Sequence, residues 1–330
     1  MVTELCCAFP ENGGFAVWAM AAFGPFWGFQ VGYWAWIVSV INNAIFPGLI
    51  YYTTTQALGV EATFGFVAYL IKVSIAGLLA LPTYLGVRLI GIAFERIHWI
   101  SMIAGEVQNP ARTFPRVVFF SVMLGLLTYI APFITAVVGD KTPWRGFYPA
   151  AYPEIARALG GSDLFSLVIF SSILGYVGLF ANSMFLQSFL IQGMAQSRLL
   201  PRILRKRSKR FKTPKYGLLA SVLAMTCALA LPFETLFVMV NAFSCTVQAM
   251  IILSMLKLRR AFPYLQRPVR VPGNLATVTL MLSPPFGVFA YVIYSSLVQG
   301  KMALLALAFV VPGFLFPFIR KWVTGHRICG

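Results

Sequence analysis

The sequence predicts an all-α integral membrane protein, a polytopic helix bundle of about eight spanning helices, on three observations. First, 59% of the 330 residues are hydrophobic and only 11% are charged, with a mean hydropathy of +0.81; soluble domains carry about 25% charged residues. Second, apolar runs of spanning length recur through the chain. A helix needs about 20 mostly apolar residues to cross the hydrocarbon layer, and such windows lie near 29–52, 64–87, 115–138, 164–192, 216–231, 233–256, 276–297 and 302–321. Third, Arg198 to Lys215 carries nine Lys/Arg and no acid between two of those runs. Such a block cannot enter lipid and marks a cytoplasmic loop.

The remaining links alternate as that rule requires. Arg112 and Arg116, the nine-charge block, then Lys257, Arg259, Arg260, Arg267 and Arg270, and finally Arg320, Lys321 and Arg327 fall on one side. The acid-containing loop Gly139 to Asp163, the turn at Leu231 to Phe233 and the link Gln299 to Lys301 fall on the other. The C-terminus is therefore expected in the cytoplasm. Residues 88–106 carry Arg88, Glu95, Arg96 and His98 within an apolar setting. Each charge costs about 2.5–3.5 kcal/mol at a helix centre, so this segment reads as re-entrant or interfacial, and the parity between Arg88 and Arg112 agrees. Met1 to Phe9 is too short for a signal peptide, and Glu4 interrupts it.

The net charge of +17 does not indicate nucleic acid. The basic residues sit in short loops between apolar segments, where they report topology and meet anionic lipid head groups. Cys6, Cys7, Cys227, Cys245 and Cys329 form no C-x-x-C pair and no disulfide framework. They read as apolar packing residues, with Cys329 exposed. An enzyme is disfavoured, because the two histidines, the absence of paired catalytic carboxylates and the lack of G-x-S-x-G or H-E-x-x-H spacing leave no constellation for chemistry. No catalytic residue, metal site or cofactor is expected.

Several loop sequences carry a more specific signal. AFPENGG (Ala8 to Gly14), AAFGPFWGFQ (Ala21 to Gln30) and AGEVQNPARTFPR (Ala104 to Arg116) resemble the amino acid/polyamine/organocation permease superfamily, closest to the polyamine and cationic amino acid branch of plants and protozoa. The likeness continues in order through GLFANSMFLQSFLIQGMAQSRLLP (Gly178 to Pro201), TPKYG (Thr213 to Gly217) and RPVRVPG (Arg267 to Gly273). It implies a fold of two inverted five-helix repeats, with substrate held at mid-membrane between two broken helices. Against that plan the chain looks incomplete. The first helix is missing, and YLGVRLIGI (Tyr84 to Ile92) passes almost directly into HWISMIAGE (His98 to Glu106), omitting the fifth helix and part of the sixth. The resemblance thus implies one permease domain over 1–330: a helix end and gating loop at 1–28, a first-repeat remnant with the re-entrant segment at 29–106, a second repeat at 107–256, and two C-terminal helices at 257–330.

Candidate residues follow. In AFPENGG, Pro10 ends a helix while Gly13 and Gly14 permit a tight turn that could seal a bundle mouth. Glu11, with Glu106, Arg112 and Arg116, forms a candidate gate network; alternatively PARTFPR is only a basic helix start. The nine acids are Glu4, Glu11, Glu61, Glu95, Glu106, Asp140, Glu154, Asp163 and Glu234, and none is central in a confident span. Where the polyamine branch places acids, this chain has INNAIFP (Ile41 to Pro47) and GLFANSMF (Gly178 to Phe185), which carry amides. Neutral polar and aromatic groups remain facing the expected bundle interior: Tyr33, Trp34, Asn42, Asn43, Tyr176, Asn182 and Asn241. A single buried amide can be helix glue, and Trp or Tyr near a helix end can be a belt anchor. The expected substrate contacts are Tyr33, Trp34, Asn42, Tyr176 and Asn182. Lys72 lies about 12 Å inside its span, at 1.5 Å per residue, and either snorkels outward or faces the bundle.

Two functions fit these expectations. One is secondary active transport of a polyamine or amino acid by alternating access, coupled to an ion such as the proton, at the plasma membrane. The other is a truncated, transport-inactive permease paralogue or gene fragment that inserts in the membrane and at most associates with full-length permeases.

Overall fold

Apolar runs bounded by glycine and proline fold as helices because the backbone can then satisfy its own hydrogen bonds. The computed structural model describes residues 2–9, 13–60, 65–85, 110–139, 152–206, 214–264, 271, 273–298 and 308–317. Its helices are α1 (Val2–Ala8), α2 (Phe15–Phe23), α3 (Pro25–Leu58), α4 (Phe66–Leu85), α5 (Pro110–Gly139), α6 (Tyr152–Gln196), α7 (Lys215–Ala228), α8 (Phe233–Ala261), α9 (Leu275–Val298) and α10 (Ala308–Pro317). A 3₁₀ turn spans Arg202–Arg205. No strand occurs among the described residues.

Each predicted span has a helix. Among the described residues, α3, α6, α8 and α9 are long and apolar enough to cross a membrane, and α4, α5, α7 and α10 hold shorter apolar stretches. Two boundaries differ from expectation. The third helix starts at Pro25 rather than near 29 and runs to Leu58, because proline suits a first helical turn. For the same reason α5 starts at Pro110 rather than near 115. The range of α6 comprises two helices that meet at Gly160 and Gly161, whose backbone angles are non-helical: a short piece from Tyr152, too poor in apolar residues for a spanning window to register, and a long one that begins just after the glycines, close to the expected residue 164. The segment at 88–106 lies outside the described residues.

The architecture is organised around α3. A helix that is apolar on all sides belongs in the interior, and α3 buries residues around its whole circumference, from Phe29 and Val31 through Ile41 to Tyr51. It packs on α2, α6, α7 and α8. By contrast, α5 and α9 expose Phe119, Phe120, Leu127, Tyr129, Leu280, Met281 and Tyr291. Apolar side chains this numerous on the outside are solvated by lipid.

Close approach at one end of α3 depends on Gly28 and Gly32, spaced G-x-x-x-G. Gly24, at φ +91°, lets α2 turn back onto α3. A methyl group at Gly28 would stand 2.5 Å from Met20 Cβ and 2.9 Å from the Ala16 carbonyl oxygen; at Gly32 it would meet Met194 and Ala16 within 2.8 Å. Small residues at this spacing let helix backbones touch. The helix α10 then docks on the same half of α3, with Phe29 stacked on Phe316 at 5.2 Å and Trp34 against Phe314 at 6.4 Å.

The Gly28→Ala substitution is expected to lower stability by about 1–3 kcal/mol, since backbone rather than a flexible side chain blocks the added methyl. Thermal unfolding in detergent, read against a control such as Gly125→Ala, where an added methyl meets nothing within 4 Å, measures it; equal melting of the two variants would refute the close-packing role.

Candidate functional site

Polar side chains in the bundle separate into those satisfied by neighbouring helices and those left open. Tyr33 belongs to the first group: it is half-buried, and its hydroxyl donates to the Phe309 carbonyl at 3.0 Å. Beside it, Gln30 Nε2 donates to the Gly313 carbonyl at 3.0 Å, so both residues fasten α10 to α3. Trp36 Nε1 donates to Ser221 Oγ at 3.0 Å, and the Tyr69 hydroxyl donates to the Thr226 carbonyl at 3.2 Å, linking α3 and α4 to α7. Asn241 is exposed and donates to its own helix at the Phe237 carbonyl, 2.8 Å away. The expectation that it faces the interior is corrected: Asn241 follows the lipid side of α8.

The open groups concentrate between α3 and α6. These helices run antiparallel, as three pairings show: Gly32 lies against Met194, Thr53 shares a hydrogen bond with Tyr176, and Gln56 Nε2 donates to Glu154 Oε1 at 3.0 Å. Asn43 sits midway between Gly32 and Thr53, so it is level with the part of α6 that carries Asn182 and Gln187. Asn43 is fully buried, yet neither amide atom has a partner among the described residues. Gln187 is also fully buried; its Nε2 contacts Met184 Sδ at 2.7 Å, and its Oε1 is unpartnered. Gln192 Oε1 is likewise open on α6, while Gln30 Oε1 and Trp34 Nε1 are open at the α10 junction.

A buried polar atom without a partner costs about 1–3 kcal/mol, and a seam with several such atoms is costly unless something else enters it. Of the five expected substrate contacts, Tyr176 meets Thr53 across the α3–α6 interface, Asn42 and Asn182 are half-buried on those two helices, and Tyr33 and Trp34 lie at the α10 junction. Sequence reasoning chose Asn42 over Asn43, although a one-residue step on a helix, about 100°, exchanges a half-buried position for a sealed one.

The proposed gate is not assembled from described residues. Glu11 and Glu106 lie outside them, Arg112 falls in the first turn of α5, and Arg116, one turn on, is exposed. The Gly13–Gly14 turn is present, with φ +109° and +40°, and Gly13 rests against the backbone of Gly193. The strongest charge cluster at that end was not expected. The Glu4 carboxylate pairs with Arg259: Nε donates to Oε1 at 2.9 Å and an Nη donates to Oε2. The Val271 amide donates to the same carboxylate at 2.9 Å, while the guanidinium also donates to the Val271 carbonyl at 2.9 Å. Side-chain exposures are 1% for Glu4 and 5% for Arg259. The clamp joins α1, α8 and the end of the link that leads into α9. The cysteines partly match expectation: Cys6 and Cys7 are buried, but Cys227 is exposed, on the lipid-facing side of α7.

A bundle with four helices long and apolar enough to cross a membrane, and with apolar side chains on its outer faces, is that of an integral membrane protein. Comparison with known proteins identifies which kind. Residues 83–312 match the family described as Amino acid permease. The chain is similar to polyamine transporter PUT1 of Oryza sativa subsp. japonica, 30% identical over 99% of this chain and 70% of the relative. It is also similar to polyamine transporter RMV1 of Arabidopsis thaliana, 26% identical over 98% and 75%, and to the branched-chain amino acid permease BcaP of Bacillus subtilis, 22% identical over 56% and 40%. The chain belongs to the amino acid permease family, in the polyamine transporter branch of the amino acid/polyamine/organocation superfamily. It is a transporter by family, and not an enzyme. The rice alignment runs over 377 positions while covering 99% of 330 residues, so about 50 positions of the relative face gaps in this chain.

Two outcomes are expected. Glu4→Gln lowers stability by about 3–5 kcal/mol, because Arg259 is left buried without its anion, and Glu4→Met with Arg259→Met together recovers most of the loss; thermal melting of the three proteins decides this, and a tolerated single variant would remove the clamp. Asn43→Leu raises stability by about 1 kcal/mol by replacing orphan amide atoms with apolar ones. A fall in melting temperature for Asn43→Leu would mean that the amide is paired.

Proposed function

We propose that the chain performs secondary active transport of a polyamine or amino acid by alternating access, coupled to an ion such as the proton, with its basic end in the cytoplasm of a plasma-membrane protein. The observation that carries this reading is the open amide seam between α3 and α6. In lipid, unpartnered amides at mid-bundle are costly unless substrate, ion or water visits them. Asn42, Asn43, Tyr176, Asn182 and Gln187 are the residues assigned to that route. The match to polyamine transporters along nearly the whole chain supports the substrate range, and the likeness to a branched-chain amino acid permease widens it.

Glu11, Glu106, Arg112 and Arg116 are assigned to closure at the basic end, next to the Glu4–Arg259 clamp. The gaps that the rice alignment requires are assigned to the stretch between Arg88 and His98, where the fifth helix and part of the sixth would lie. Those missing positions favour the second reading, a transport-inactive paralogue that pairs with full-length permeases.

Uptake into proteoliposomes separates the two. An imposed proton gradient, acidic outside, is expected to drive accumulation of labelled spermidine or leucine that a protonophore abolishes, and Asn43→Leu is expected to reduce it at least tenfold, about 1.4 kcal/mol in transition-state terms. Folded, reconstituted protein that accumulates neither compound would establish the inactive reading.

A further inference from the structure

The end of the bundle opposite the Glu4–Arg259 clamp contains a cavity of about 850 Å³ between α3, α4 and the α7–α8 turn. It opens on the outer face of the bundle, since Phe66 on its wall is 72% exposed. Apart from Tyr52, Tyr69, Lys72 and Glu234 its lining is apolar. Lys72 is half-buried in the second turn of α4, about 9 Å in from Phe66 at 1.5 Å per residue. Its Nζ lies 5.2 Å from the Tyr52 ring centroid and 5.6 Å from that of Tyr51. The ring faces hold the ammonium in place without accepting its three N–H donors in conventional hydrogen bonds. Lys72 has neither an ion-pair partner nor a hydrogen-bond acceptor among the described residues, and Glu234, exposed in the first turn of α8, has no ion-pair partner there. The two charges line one cavity without pairing with each other. A half-buried ammonium with open donors inside a membrane helix calls for an anion.

The charges also differ in depth. Glu234 is at the start of α8, level with the turn. A smaller space of about 20 Å³ shares Lys72 and reaches Ala44 and Gly48, far inside the end of α3 at Leu58, so Lys72 is the deeper of the two. A phospholipid carries its groups in the same order along the membrane normal: acyl chains deepest, then the phosphate, then the group esterified to it. With a phosphate on Lys72, that last group lies outward, toward Glu234. The chains lie inward, where α4 exposes Leu78 and Leu81 and α8 exposes Phe237.

We propose that this cavity is a phospholipid site selective for a primary-ammonium head group, that of phosphatidylethanolamine, with the phosphate on Lys72 and the ammonium on Glu234. The inference goes beyond the transport reading and does not depend on it. Three features of the cavity favour a lipid over a soluble ion. It opens sideways, its walls are mostly apolar, and its cation lies below the level of its anion. Glu234 supplies the selectivity, because a primary ammonium donates N–H groups to a carboxylate, whereas the trimethylammonium of phosphatidylcholine has none to give. Tyr51 and Tyr52 act as positioning residues that hold the lysine toward the cavity.

Matched lipids test this, because phosphatidylethanolamine and phosphatidylcholine of the same chains differ only by three N-methyl groups. Each is added to the delipidated full chain in detergent, and bound lipid is counted by native mass spectrometry. The wild type is expected to retain phosphatidylethanolamine at least fivefold better than phosphatidylcholine. Glu234→Gln abolishes that preference while leaving phosphatidylcholine retention unchanged. Lys72→Met lowers retention of both lipids at least fivefold, Lys72→Arg keeps most of it, and Lys206→Met, at the other end of the bundle, changes neither. Lys72→Gln serves if the methionine variant does not elute as a monodisperse particle. Equal retention of the two lipids by the wild type, or a preference that survives in Glu234→Gln, overturns the proposal. Retention that survives loss of the Lys72 charge means annular lipid only, and also overturns it. Phosphoethanolamine and ornithine, which offer the charges without acyl chains, are expected not to displace the lipid at tenfold excess; displacement by either would assign the cavity to a soluble zwitterion and refute the lipid site.

Discussion

The hydrocarbon layer offers no hydrogen bonds, so every polar atom in a spanning segment must find a partner inside the protein. Most of the bundle's polar side chains obey this locally. Ser74, Thr128, Ser166, Thr226, Thr246, Ser254 and Thr279 each donate to the carbonyl one turn earlier in their own helix. Longer side chains obey it between helices, as Tyr33, Trp36 and Tyr69 do. The two full charges buried at the basic end satisfy each other and the Val271 backbone. Against that background both amide atoms of Asn43 and the amide oxygens of Gln187 and Gln192 are conspicuous, because they have no partner among the described residues. The proposed solute route rests on them.

The two polar regions divide the labour by depth. Between α3 and α6 the open groups are neutral amides, which can exchange partners without a charge crossing lipid. At the end near the α7–α8 turn the half-buried Lys72 and the exposed Glu234 line a cavity. The opposite end is closed by packing and charge together: Gly13 on Gly193, Gly28 under α2, and Glu4 on Arg259. Lys257 reinforces that end, with its Nζ 4.5 Å from the centroid of Phe23. Among the described residues one end is tight and the other has a cavity.

Much of the fold could be read from the chain because the spanning requirement acts over about 20 residues and needs no partner to be recognised. The same window could not see the start of α6, where Gly160 and Gly161 break the helix and the preceding turns are amphipathic. Nor could it find the Glu4–Arg259 pair, since 255 positions separate the two and Arg259 sits among exposed basic neighbours. The G-x-x-x-G spacing of Gly28 and Gly32 was legible but unused; it would have predicted the α2–α3–α6 crossing. For the site, residue type pointed to the correct helices, and burial then chose between neighbours. Asn43 is sealed and Asn42 is not, a difference of helix rotation that depends on where α6 packs.

The central claim is that the α3–α6 seam is entered by solute and is not dry. It is tested most directly by placing a cysteine at Asn43 in a background whose five native cysteines are serine or alanine, and labelling it with a small, membrane-impermeant thiol reagent from each side of sealed vesicles. The account predicts labelling from at least one side that saturating amino acid or polyamine slows, with no labelling at a lipid-facing control such as Leu127. A thiol at this position that stays unreactive from both sides, with and without an ion gradient, would contradict it.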